Sequence, residues 1–162
     1  MAVLSSASAW AAGPPHHVQA DLVADTESIR PGQPFHVGLR LRMDPGWHTY
    51  WKNPGDSGLA TRLTWKLPEG FTAAAIEWPF PKRFVQGPVT SYGYDGEVLL
   101  PVAITPPSSF APGASIALSA RADWLECSEA CIPGRRELSL ELPVRAEAPR
   151  SSTANCQPPS TP

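Results

Sequence analysis

Hydrophobic and polar residues alternate with a period of two along much of this chain. Phe35, Val37, Leu39 and Leu41 interleave with His36, Gly38, Arg40 and Arg42, the pattern of a strand with one buried face. Ile116, Leu118, Ala120 and Ala122 repeat it, as do Leu138, Leu140 and Leu142. Weaker runs predict strands near 18–23, 61–67, 72–78 and 98–105. Pro101, which has no N–H to give a ladder, favours an edge position or a bulge for the last of these. Pro-Gly pairs beginning at Pro31, Pro45, Pro54, Pro112 and Pro133 predict turns. No stretch of about ten residues carries helical i, i+3, i+4 apolar spacing. Short strands separated by turn signals predict an all-β sandwich, with loops gathered at its ends. Chemistry is then expected on a loop or strand end near residues 124–134.

Composition narrows the picture. The 162 residues include 20 prolines and 12 glycines, about 20% of the chain, against a usual ~12%. That excludes a chain built mainly of long helices, while 42% hydrophobic residues suffice for a packed core. Thirteen Lys and Arg against 15 Asp and Glu give a net charge of −2. This near balance argues against a nucleic-acid grip and against a polybasic membrane patch. No apolar run is long enough to span a bilayer.

The ends differ from the middle. Residues 1–11 are uncharged, and Ala9-Trp10-Ala11 has the small-x-small form of a signal-peptidase site. We read them as the remnant of a secretion signal. Residues 148–162 are rich in Ser, Thr and Pro with few bulky apolar side chains, the composition of a disordered tail or a truncated linker. One domain over 12–147 is expected between them. A secreted context permits disulfides, so Cys127 and Cys131 could pair, leaving Cys156 spare in the tail and without a structural role.

Three residues separate Cys127 from Cys131. A bridge there closes a very small loop, worth roughly 2 kcal/mol by chain entropy against about 4.7 for a 100-residue loop. A tight loop between β-elements is also prone to strain, which makes a disulfide more reducible. Both points favour a redox pair modestly over a structural staple. The third reading is a copper or zinc site completed by His16, His17, His36 or His48. No second Cys or His pair at ligand spacing supports it, and adjacent His16 and His17 read as solvated residues near a mature terminus.

The stretch Pro45-Gly46-Trp47-His48-Thr49-Tyr50-Trp51 is the most unusual in composition. In a strand beginning after Gly46, Trp47, Thr49 and Trp51 share one face and His48 and Tyr50 the other. The two tryptophans are the larger apolar pair and are assigned inward. His48 and Tyr50 then face a groove or solvent, unless the whole set is core packing. An aromatic stripe also keeps a glycan-binding sandwich in view.

Three motifs in order carry a resemblance. They are Pro45 to Trp51 leading into Asn53-Pro54-Gly55; Tyr92-Gly93-Tyr94-Asp95-Gly96-Glu97-Val98-Leu99-Leu100-Pro101-Val102; and Trp124-Leu125-Glu126-Cys127 to Cys131-Ile132-Pro133. Together, over about residues 18–146, they resemble the amino-terminal periplasmic domain of the thiol–disulfide interchange protein DsbD, in particular its ScsB-like relatives. The resemblance implies an immunoglobulin-like sandwich that needs no cofactor. It implies that Cys127 and Cys131 are the redox pair, Cys131 forming mixed disulfides with partners and Cys127 resolving them. His48 and Tyr50 fall where the family has two tyrosines beside the disulfide, and Phe84 falls in the stretch corresponding to its cap loop. The implied partners are a membrane-embedded thiol reductase, in the same longer protein or in another chain, and soluble periplasmic thioredoxin-fold proteins. The cysteine spacing is shorter here than in better-known members, and His48 replaces a tyrosine. If His48 approaches the sulfurs, its protonated form could stabilise a departing thiolate.

The expected activity is thus protein-disulfide reduction by thiol–disulfide exchange in the periplasm. The rivals are a secreted immunoglobulin-like binding module with a structural disulfide, and a periplasmic copper-handling protein.

Overall fold

The computed structural model describes residues 15–110 and 115–146, and the described residues hold ten strands and no helix. These are β1 (Val18–Ala24), β2 (Phe35–Met43), β3 (His48–Gly55), β4 (Arg62–Lys66), β5 (Thr72–Ile76), β6 (Lys82–Gln86), β7 (Val89–Asp95), β8 (Glu97–Thr105), β9 (Ser115–Cys127) and β10 (Cys131–Pro143). One sheet has the order β1-β2-β8-β5; the other runs β10-β9-β3-β7-β6, with β4 pairing with β9. All strand ladders are antiparallel. The architecture is an immunoglobulin-like β-sandwich. The residues expected to form a signal remnant and a tail, with Cys156 and the Pro112 turn, lie outside the described residues.

The alternation that predicts the strands is the alternation that fills the core. Val37, Leu39 and Leu41 of β2 are fully buried, as are Leu100, Val102 and Ile104 of β8, and Leu39 sits opposite Leu100 in the register. Leu118, Ala120 and Ala122 of β9 bring the second sheet into the same cluster. Residues of even number on β9 therefore point inward, and Cys127, of odd number, belongs to the outer face.

Three expectations need correction. Of the two positions expected for Pro101 the edge is ruled out, because β8 lies between β2 and β5, whereas the bulge has its counterpart in the register shift between Ala73 and Ile76 of β5. The Pro101 carbonyl accepts from the Glu77 N–H, just past the end of β5, so the missing proline N–H falls on the side where pairing shifts register and stops. Pro54-Gly55 and Pro133-Gly134 are not turns but lie within β3 and β10. Pro133 is tolerated because β10 is an edge strand, and Gly134 is required because the Trp124 ring lies where its Cβ would be. Finally, the stretch holding Phe84 is a strand, β6, joined to β7 through Gly87 and Pro88, with φ +59° at Gly87.

Candidate functional site

The β9–β10 hairpin turns through Ser128, Glu129 and Ala130, so Cys127 and Cys131 stand directly opposite each other with Cα atoms 4.1 Å apart and are joined by a disulfide. Cys127 is also the one residue of β9 that pairs with β3, where its partner is His48. His48 pairs in turn with Asp95 of β7. Asp95, His48, Cys127 and Cys131 therefore form one row across four strands. Directly paired residues project to the same side, so the row lies on the outer face of the sheet. Burial along it is uneven: Cys127 is 1% exposed, whereas Cys131 at the rim is exposed.

The cover over this row comes from β6. The Phe84 ring stacks on His48 at 4.6 Å between centroids, and Tyr50 meets the imidazole edge-on at 5.1 Å. His48 and Tyr50 are both buried, so this face of β3 is a covered groove and not a solvent face. The opposite face agrees with its inward assignment: Thr49 is fully buried and Trp47 and Trp51 pack against the core. The hydroxyl of Tyr94 donates to the Pro79 carbonyl at 2.8 Å, and Lys82 pairs with Asp95; these hold the start of β6 against β7. A cavity of about 380 Å³ remains between the cover and the hairpin, lined by Trp47, His48, Phe84, Val85, Asp95 and Ser128 among others. The structure thus gathers Cys127, Cys131, His48, Tyr50 and Phe84 in one place.

Burial lowers the His48 pKa below its ordinary value, with Asp95 opposing the shift. While the disulfide is closed, burial thus favours the neutral imidazole at pH 7. Because the unfolded chain takes up this proton near pH ~6.5 and the folded chain only at lower pH, the stability tied to neutral His48 is full above ~6.5. It is lost as pH falls from there towards the folded value. Urea denaturation of the oxidised protein at successive pH values from neutral to acid is expected to show a steeper stability loss below ~6.5 for wild type than for His48→Phe. Parallel pH profiles would refute this assignment.

One feature of the site goes unread in the sequence. Glu126, in phase with the inward Ala122 and Trp124, is fully buried. Its carboxylate accepts from the Trp124 indole N–H at 2.8 Å and from the His17 backbone N–H at 2.9 Å, and it meets His16 Nδ1 at 3.3 Å. His17 stacks on Trp47 at 3.9 Å and contacts Asp44 at 3.1 Å. The paired histidines are therefore tied to the site end of the sandwich, His16 remaining exposed and His17 half-buried. A charged residue at an inward position of a strand was the available signal, since a buried carboxylate demands partners.

Comparison with known proteins agrees with this geometry. The geometry is that of an all-β sandwich with a disulfide at the end of one hairpin, beside a partial aromatic cover. Residues 18–143 match the family described as "Thiol:disulfide interchange protein DsbD, N-terminal", and the chain belongs to that family. The crystal structure of the N-terminal periplasmic domain of ScsB from Proteus mirabilis superposes with a TM-score of 0.59 at 28% identity, covering 83% of this chain and 51% of that one. This chain thus spans about half the length of that relative. The reduced form of the Neisseria meningitidis DsbD N-terminal domain aligns with a TM-score of 0.45 at 12% identity, over 75% of this chain and 82% of that one. No curated protein matches the chain. Among the described residues no helix is long and apolar enough to cross a membrane.

Proposed function

We propose that this domain is a periplasmic protein-disulfide reductase module. It relays electrons from a membrane-embedded thiol reductase to soluble thioredoxin-fold proteins through Cys127 and Cys131. The observation that carries the reading is the unequal exposure of the two cysteines within a family defined by thiol–disulfide interchange. An incoming thiolate reaches the exposed Cys131 sulfur, and the S–S bond breaks with Cys127 as the leaving thiolate. The donor's second thiol then resolves the mixed disulfide, so two electrons and two protons end on the pair. In the outward step the Cys131 thiolate attacks a partner's disulfide, and Cys127 displaces the partner's reduced dithiol. Phe84 lies on His48, the residue paired with the inner cysteine, and this cover beside Cys127 restricts attack to partners that seat at the hairpin.

The test is the equilibrium reduction potential of the pair. Protein with Cys156→Ser is titrated against dithiothreitol couples and read by alkylation mass shift. A potential well above about −300 mV is expected of an exchangeable bridge; a value below that range marks a structural staple and a binding-module function.

A further inference from the structure

The outer face that carries the disulfide also carries a cleft outside the site described above. β9 changes partner along its length, from β3 at Cys127 to β4 over Asp123 to Ser119. At this change of partner lies a cleft of about 680 Å³ whose lining includes Leu59, Arg62, Arg121, Asp123, Pro133 and Arg135. The register puts Arg62, Asp123 and Arg135 in one row across β4, β9 and β10, on the same face as Cys127 and Cys131. That row is four residues along β10 from Cys131, or about 13 Å at strand rise.

Charge in the cleft is one-sided, with three guanidinium groups around one carboxylate. Asp123 is already engaged, accepting from Arg135 Nε at 2.6 Å and Arg121 Nε at 2.9 Å. Both arginines are held by their Nε edges, and among the described residues their terminal Nη groups have no hydrogen-bond partner. Arg62 is exposed and, among the described residues, takes part in no ion pair. Asp123 thus orients two guanidinium groups while their terminal Nη donors remain open to another carboxylate. Leu59, 64% exposed, adds an apolar edge to the same cleft. A chain with net charge −2 that concentrates arginine beside its disulfide presents a local field that steers acidic partners.

We propose that this cleft receives an acidic, extended segment of the polypeptide whose sulfur exchanges with Cys131, docking it about four residues from the disulfide. The identity of that segment's owner as a redox partner rests on the function proposed above; the cleft's preference for acidic peptide does not.

The two are therefore separable by experiment. Fluorescein-labelled, cysteine-free decapeptides, one carrying four glutamates and one carrying four lysines, are titrated with the oxidised protein and read by anisotropy. The acidic peptide is expected to bind at least about tenfold more tightly than the basic one, and to weaken as salt rises from about 50 to about 300 mM. The Arg62→Glu/Arg135→Gln double variant, with wild-type circular dichroism, is expected to lose that preference. Equal affinities, no binding of the acidic peptide up to about 1 mM, or displacement by inorganic phosphate at equal carboxylate equivalents overturns the proposal. Dithiothreitol exchange of the wild-type disulfide, measured alongside, reports on the redox reading alone.

Discussion

Cys131→Ala is expected to abolish mixed disulfides with partner proteins, whereas Cys127→Ala is expected to accumulate them. The asymmetry follows from where the hairpin puts each sulfur. Cys131 opens β10 at the rim of the sheet and is exposed, while Cys127 closes β9, is 1% exposed and pairs with His48 beneath Phe84. A partner sulfur therefore meets the exposed Cys131, while Cys127 is enclosed by its neighbours. Remove Cys131 and the remaining thiol is enclosed. Remove Cys127 and the outer thiolate still attacks, but nothing within the domain releases the product. Neither change should unfold the protein, because a bridge closing so short a loop contributes about 2 kcal/mol against the 5–15 of an ordinary domain. Trapping is read by non-reducing electrophoresis after mixing each reduced variant with an oxidised thioredoxin-fold protein. Equal trapping by the two variants would overturn the assignment of roles.

What the sequence discloses and what it withholds have physical causes. The strands whose alternation is clearest, around Val37 and Leu118, are those that bury one face in a continuous core, so periodicity and burial report the same fact. β6 escapes notice because it has no inward apolar set: its pattern is exposed except at Phe84, and its role is to cover a groove, not to fill the core. Pro133-Gly134 reads as a turn because local dipeptide chemistry cannot register that Trp124, ten residues upstream in the chain, lies across the glycine from the neighbouring strand. The pairing of His48 with Cys127 is likewise non-local, since residues 79 apart in the sequence (48 and 127) meet only through sheet topology. The cysteine pair needs no such information, because its residues are close in sequence. The candidate site was therefore legible in its sulfurs and, by family resemblance, in its neighbours, while the row that orders them was not.

The second large effect is expected at Gly93, a residue with no chemistry of its own. It lies in β7 opposite Tyr50, and its φ is not positive, so conformational freedom is not the reason for glycine here. Space is the reason. A Cβ at this position would collide with the Thr49 carbonyl oxygen and stand 2.9 Å from the Thr49 carbonyl carbon and 3.0 Å from the Tyr50 Cα. All three are backbone atoms of β3, so no rotamer change relieves the clash; β3 and β7 must separate. Gly93→Ala is therefore expected to cost about 3 kcal/mol, at the upper end for overpacking. Gly87→Ala supplies the contrast. Its φ of +59° makes alanine strained, but a Cβ there meets nothing within 4 Å, so a cost of about 1 kcal/mol is expected. Urea denaturation of the oxidised proteins distinguishes the two, and equal costs would show that β3 and β7 are not in the close contact described. The consequence reaches the site, because β3 carries His48 and β7 supports the β6 cover that lies on it. Parting these strands uncovers Cys127, so Gly93→Ala is also expected to speed reduction of the disulfide by dithiothreitol under native conditions, while Gly87→Ala leaves the β3–β7 ladder closed.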